Sequence, residues 1–231
     1  MTKTKKKKRK TLRYIGFTLV TLMLIGLTCL GICGTAFAYY IRKYVSKDVD
    51  IDLDSFRLNF TSFIYYIDDN GSEVELEKLH GKEDRVWADL EEIPTMLQDA
   101  FVAVEDNTFW SHGGVNWKRT LGAALNYVVP FRSNFGGGST ITQQLIKNTT
   151  GDKDVAPVRK LREIFRALQL ERDYTKDEIL EAYLNIIFLG GRTYGIEAAA
   201  QTYFGCHASE LTVPQATTIA LMSCLVKNAV S

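Results

Sequence analysis

Paired cysteines are missing from this chain. Of its four, Cys29 and Cys33 lie inside an apolar run, while Cys206 and Cys224 stand alone. No spacing suits a zinc site or a disulfide framework, so the folded part must rest on its own core. Acidic residues are absent from the start: Lys3, Lys5, Lys6, Lys7, Lys8, Arg9, Lys10 and Arg13 give eight positive charges and no negative one before residue 14. Taking those eight from the total of +1 leaves −7 for residues 14 to 231. A mildly acidic body gives no support to nucleic-acid binding, and no such partner is expected. No internal repeat occurs. With 46% hydrophobic and 24% charged residues over 231 positions, the composition is that of one globular domain with attachments.

Charge is also missing from Tyr14 to Ile41, a run of 28 residues that ends before Arg42. As a helix it spans about 42 Å, against a hydrocarbon core of ~30 Å. Tyr14, Tyr39, Tyr40 and Tyr44 fall where an aromatic belt lies, and the lysine tail sets the N-terminus in the cytoplasm. The competing reading is a signal peptide cleaved near Ala36-Phe37-Ala38, for which the run is too long. A single-pass anchor in the cell membrane is therefore expected, with everything after Arg42 outside.

Residues 44 to 60 read as a polar stalk. Phe63 to Ile67 and Val74 to Leu76 form the arms of a β-hairpin around Asn70-Gly71. From Glu91 the pattern turns helical: Glu91 to Val104, Trp117 to Val128, a helix capped by Ser139 and running to Asn148, and Val158 to Glu171. A helix opened by the capping box Thr175 to Glu178 runs through Ile187. Tyr194 to Phe204 and Thr212 to Leu225 close the series. The fold class is mainly α, with β structure confined to the hairpin.

Three stretches carry candidate chemistry. The first is Val104 to Gly114. Met96, Leu97, Ala100, Phe101 and Val104 form one apolar helix face that delivers Glu105 and Asp106 to its end. A carboxylate held at such an end can be partly desolvated, which suits a general base, although a solvated helix end is the plainer alternative. The second is Gly138 to Asn148, where Thr140, Gln143, Gln144 and Lys147 line one helix face. Backbone N–H groups at the glycine-led helix start, with Lys147 further along, suit a phosphate or diphosphate; a capped amphipathic surface helix is the alternative. In the third, Arg159, Glu163 and Arg166 share a face, as a salt-bridge ladder or as a carboxylate held ionised among cations. One candidate base and one basic site fit a transferase acting on a diphosphate donor. A glycoside hydrolase needs instead a protonated acid for the leaving sugar oxygen. Tyr183, Asn185 and the glycines after them read as structural.

In this order the stretches resemble the peptidoglycan glycosyltransferases, family 51, found as the first domain of class A penicillin-binding proteins and as stand-alone membrane enzymes. The residues carrying the resemblance are Glu105-Asp106 with Phe109, His112 and Gly114; Gly137 to Leu145 with Lys147 and Asn148; Arg159, Lys160 and Glu163; and Tyr183 to Asn185. The resemblance implies a lysozyme-like, two-lobed fold over residues 86 to 231, after a basic tail (1–13), a transmembrane helix (14–41) and a stalk with hairpin (42–85). It implies polymerisation of lipid II with inversion at the anomeric carbon and release of undecaprenyl diphosphate.

By the same resemblance Glu105 deprotonates the acceptor hydroxyl and Glu163 assists, by orienting cations or by binding a divalent metal. Lys147, Arg159 and Lys160 hold diphosphates, and Ser139, Thr140, Gln143 and Gln144 lie near the sugars. Asp106, His112 and Asn148 are further substrate-side positions. No cofactor is required by the sequence, and a divalent cation, Mg or Mn, is left open. Lipid II, the growing glycan, the membrane and cell-wall synthesis proteins are the expected partners. Asn116 stands where the family usually has Asp, and Gln215 where Glu is frequent. The chain stops at Ser231, where the family's closing segment begins, which implies a truncated class A protein; no Ser-x-x-Lys or Lys-Thr-Gly of a transpeptidase occurs. The rival functions are a lysozyme-like glycan-cleaving enzyme and a non-catalytic scaffold for lipid II or division proteins.

Overall fold

A computed structural model of the chain describes residues 3–44, 53, 62–67, 73–79, 84–128, 138–150 and 156–230. The chain divides into two compact units, Met1–Asp48 and Val49–Ser231. The first is a single helix, α1 (Lys3–Tyr44), with an apolar part from Tyr14 to Tyr40 of mean hydropathy 2.3 and no buried residue. At ~1.5 Å per residue that part is about 40 Å long, enough to cross a membrane once. Thr18, Thr21 and Thr35 turn their hydroxyls back to carbonyls three or four residues earlier. These bonds satisfy the hydroxyls where no water would.

The second unit opens with the expected hairpin, β1 (Ser62–Ile67) against β2 (Glu73–Leu79), antiparallel with a bulge between Ile64 and Tyr65. Its Asn-Gly turn and most of the expected stalk lie outside the described residues. Leu53, from that stalk, is buried and its N–H donates to the Tyr174 hydroxyl at 3.3 Å. β structure is not confined to the hairpin. A two-residue parallel pair, β3 (Asp84–Arg85) with β4 (Thr193–Tyr194), joins distant parts of the chain. Two residues are too few to show any periodicity.

Helix α2 (Thr95–Glu105) begins four residues later than the sequence suggests. Proline disfavours helical backbone in the residue before it, so Ile93 cannot extend the helix and 89–93 fold as turns. Helix α3 (Trp117–Val128) is capped by Asn116, whose Oδ1 accepts from Arg119 N at 3.0 Å. Asparagine fills this role as well as aspartate does, and its amide also donates to Thr108 Oγ1 at 2.9 Å.

The cap of α4 (Ile141–Thr150) is Thr140, not Ser139. Thr140 Oγ1 accepts from Gln143 N and Gln143 Oε1 from Thr140 N, both at 3.1 Å. That reciprocal pair satisfies two donors that a cap at Ser139 would leave open. Helices α5 (Ala156–Asp173) and α6 (Lys176–Ile186) follow, and the Thr175/Glu178 box opens α6 as expected. Helix α7 (Ile196–Phe204) ends at Gly205. Helix α8 (Val213–Val230) opens with Gln215 accepting from both the N–H and the hydroxyl of Thr212, so glutamine does here what glutamate would.

Helix α2 packs on α8, and α4 on α5 and α6. Phe101, Leu145, Ile146, Leu180, Tyr183, Leu184 and Ile219 fill the space between them, the Phe101 and Tyr183 rings meeting edge to face at 6.4 Å. The fold is thus mostly helical, as anticipated. Asn185 is fully buried and structural: it exchanges two 2.8 Å bonds with the backbone of Ala88 and donates to Glu181 O. Gly195 sits against it with φ 82°, where a Cβ would come within 2.4 Å of Asn185 O. Only glycine fits there.

Candidate active site

Everything expected of the site hangs on the start of α4. Asp106, the residue after α2, is completely buried. Its Oδ2 accepts from His112 Nε2 at 2.8 Å and from Ile141 N at 3.2 Å, and its Oδ1 accepts from Thr108 Oγ1 at 3.0 Å. Burial alone would push this carboxyl up. The bond to His112 and its charge, then Ile141 N and Thr108, outweigh burial and hold it below the ordinary carboxylate range. Asp106 is therefore the anion at the N-terminus of α4. The expected phosphate cradle at that helix start is occupied by the protein's own carboxylate, and Lys147 lies exposed about 9 Å further along the axis.

The expected stripe on α4 divides accordingly. Thr140 and Gln143 are 1% and 0% exposed and close the helix start; Thr140 Oγ1 donates to Gly114 O at 2.6 Å. They stabilise the site and do not face outward. Gln144, Lys147 and Asn148 form the accessible side. His112 is likewise internal: its side chain is 9% exposed, with Nδ1 buried and unpartnered among the described residues. Gly114, at φ 84°, lets the loop approach α5 so closely that a Cβ would lie 2.6 Å from Ala167 O. Phe109, buried between, carries Lys176 Nζ 4.3 Å above its ring, and Lys176 in turn donates to Glu171.

With the loop fixed in this way, Glu105 is held at the last position of α2, 8% exposed. Gln144 Nε2 donates to its Oε2 at 3.0 Å, and Ser223 Oγ to its Oε1 at 2.6 Å. The Tyr183 hydroxyl donates to Gln144 Oε1 at 3.3 Å and so fixes which way that amide points. Burial, then the charges of Glu105, Cys224 and Asp106, push the Tyr183 hydroxyl well up, and it stays a donor. Sequence reasoning missed Ser223 and took Tyr183 as core. The available signal was a hydroxyl at a core position of α8, in step with Ala216, Ile219 and Ala220.

The second cluster is built on α5. Glu163, 6% exposed, has Lys160 Nζ at 3.1 Å from Oε2 and Arg159 Nε at 3.6 Å from Oε1. Lys160 also donates to Ser139 Oγ at 2.8 Å. Both cationic side chains remain 37% exposed. Arg166, which its spacing puts on the same face, is buried. The segment Ser139–Gln144 thus touches both clusters: Ser139 meets Lys160, Ile141 meets Asp106, and Gln144 meets Glu105. One carboxylate and one cation-flanked carboxylate are tied to the same six residues. Such a pairing can take a proton on one side and hold anionic oxygens on the other.

Both oxygens of Glu163 face cations, and among the described residues no three His, Cys, Asp or Glu side chains gather as metal ligands.

Known proteins resemble this chain over most of its length. The family model described as transglycosylase matches residues 72–229. The chain is 41% identical over 221 residues to penicillin-binding protein 1A/1B of Bacillus subtilis, covering 94% of this chain and 23% of that protein. It is 34% identical over 212 residues to penicillin-binding protein 1A of Clostridium perfringens, covering 90% and 30%. Penicillin-binding protein 2D of Bacillus subtilis is 44% identical over 138 residues, 60% of this chain and 20% of its own length. The chain spans roughly a quarter of the length of such relatives.

Proposed function

Because the chain belongs to the transglycosylase family, we propose that it is a peptidoglycan glycosyltransferase that polymerises lipid II. The 4-hydroxyl of the acceptor sugar attacks the anomeric carbon of the growing chain from the face opposite the diphosphate. Glu105 takes the hydroxyl proton as the new C–O bond forms. The bond to the diphosphate breaks, and undecaprenyl diphosphate leaves as an anion, with inversion. Lys160 and Arg159, held by Glu163 and Ser139, and Lys147 on the exposed side of α4 meet the diphosphate oxygens. Asp106, His112, Thr140 and Gln143 keep the loop and the start of α4 in place.

The observation that carries this reading is the double attachment of residues 139–144. They bond to the Glu105 carboxylate through Gln144 and to the basic cluster through Ser139. The N-terminal helix supports it as well, because a lipid-linked substrate stays in the bilayer where a tethered enzyme meets it at high effective concentration. The positive-inside rule places the basic tail in the cytoplasm and the second unit outside.

The test is to incubate the purified chain, in detergent micelles, with labelled lipid II. Polymer is expected. Breakdown of preformed glycan would mark a hydrolase, and binding without turnover a scaffold. Glu105→Gln should lower polymerisation by at least the ~10²–10⁴-fold typical of a general base; parental activity in that variant would remove Glu105 from the mechanism.

A further inference from the structure

Ser223 has two acceptors for one proton. Its Oγ lies 2.6 Å from Glu105 Oε1 and 2.7 Å from Ala220 O, and the residue is 1% exposed. A serine hydroxyl donates to one of these at a time. The plain explanation is that helix serines commonly bond back to the preceding turn, in which case the nearness of Glu105 is incidental. Against it stands the 2.6 Å separation, in the range of a charge-assisted O–H to carboxylate bond.

We propose that Ser223 is a positioning residue for Glu105, donating to the carboxylate while it is ionised and turning to Ala220 O once it has taken a proton. The proposal rests on the reading of Glu105 as the base. A buried base must keep its polar neighbours satisfied both before and after proton transfer, or one of the two states is penalised. Gln144 cannot serve both, because its Nε2 only donates, and turning the amide over would disturb its bond to Tyr183. Ser223 can serve both by rotating a single hydrogen. Its proton moves to Ala220 O, and an Oγ lone pair then faces the protonated Glu105. No heavy atom has to move, so the change keeps pace with the chemical step.

Among the described residues, the titratable groups near Glu105 include Asp106, next to it in the chain, and Tyr183 from α6, whose hydroxyl bonds to the neutral Gln144 of α4. Ser223 Oγ donates to Oε1. Losing that donor disfavours the ionised carboxylate, so Glu105 would hold its proton to higher pH.

The experiment uses the full chain in micelles as parent, Ser223→Ala, Ser223→Thr and Glu105→Gln. Two quantities are read: the acid limb of kcat/KM for lipid II polymerisation, and the carboxyl infrared band that disappears in Glu105→Gln, followed with pH. In Ser223→Ala both midpoints should rise by about one to two pH units, the ten- to hundredfold that a hydrogen bond to a charged group is worth. KM on the plateau should stay parental, and Ser223→Thr should return the midpoints toward the parent. A folded Ser223→Ala with parental midpoints overturns the proposal, as does a folded Ser223→Thr that behaves like Ser223→Ala. Should Ser223→Ala not fold, Ser223→Cys, with a weaker donor, carries the same expected rise. Parental polymerisation by Glu105→Gln defeats the base reading instead, and the infrared midpoints still decide what Ser223 does.

Discussion

Replacing Asp106 by Asn removes one charge and almost no volume from the middle of the site. Asp106 accepts from His112, Ile141 N and Thr108. As Asn it keeps one acceptor oxygen, and its new Nδ2 faces donors. If that oxygen stays with Ile141 N, Nδ2 meets Thr108 Oγ1, which already receives a proton from Asn116 Nδ2. A hydrogen bond to a charged group contributes ~1.5–3 kcal/mol, and a charge at a partly buried helix end up to ~2 kcal/mol. These terms overlap on the same atoms, so the loss should be about 2–3 kcal/mol. That is a large part of the ~5–15 kcal/mol that holds a domain together. Asp106→Ala, which leaves the same donors unsatisfied in a buried space, should cost more.

The assay is urea unfolding of the second unit, followed by tryptophan fluorescence in the full micelle-bound chain, for parent and Asp106→Asn between pH 7 and pH 3. Because the folded carboxyl is held below its ordinary value, its stabilisation is fully present above about pH 4. It is lost as pH falls through the lowered folded value. The two proteins should therefore differ at neutral pH and converge in acid. A difference below about 0.5 kcal/mol at pH 7, or one that does not shrink in acid, would refute the assignment of Asp106 as the anion that seats α4.

Three other outcomes follow from the same geometry. Gly114→Ala places a Cβ 2.6 Å from Ala167 O at φ 84°; it should lose about 1–3 kcal/mol and lower polymerisation, read by thermal unfolding and lipid II turnover. Asn185→Ala removes a fully buried side chain that makes three backbone bonds; it should cost about 3 kcal/mol or more and give poor yields of folded protein, read by urea unfolding. Lys160→Gln should raise KM for lipid II about tenfold or more, with a smaller change in kcat, read from initial rates, because in the proposed reaction Lys160 meets the diphosphate and takes no part in the proton transfer.

How much was legible in the sequence varies with the range of the interaction that decides each feature. The apolar helix from Tyr14, the hairpin arms, the Thr175 box and the face that buries Leu97 and Phe101 follow from composition and short-range periodicity. Helix starts were less legible. Pro94 moved one by its effect on the residue before it, and Thr140 took the cap from its neighbour because Gln143 lies three residues on. Glu105 could be picked out as a candidate base because it ends an apolar face.

The roles of its neighbours could not be read the same way. Asp106, His112, Thr140 and Gln143 look as available to a ligand as Gln144 and Lys147 do. Folding turned the first four inward, because α4 needed an anion and a cap at its buried start. Ser223 stands 118 residues from Glu105, and nothing local announces that α8 will pack its hydroxyl face on α2. The sequence by itself determined the helices, the anchor and the types of group in the site. Tertiary packing decided which polar groups face each other, because a buried hydrogen bond is set by the meeting of distant surfaces and leaves no period along the chain.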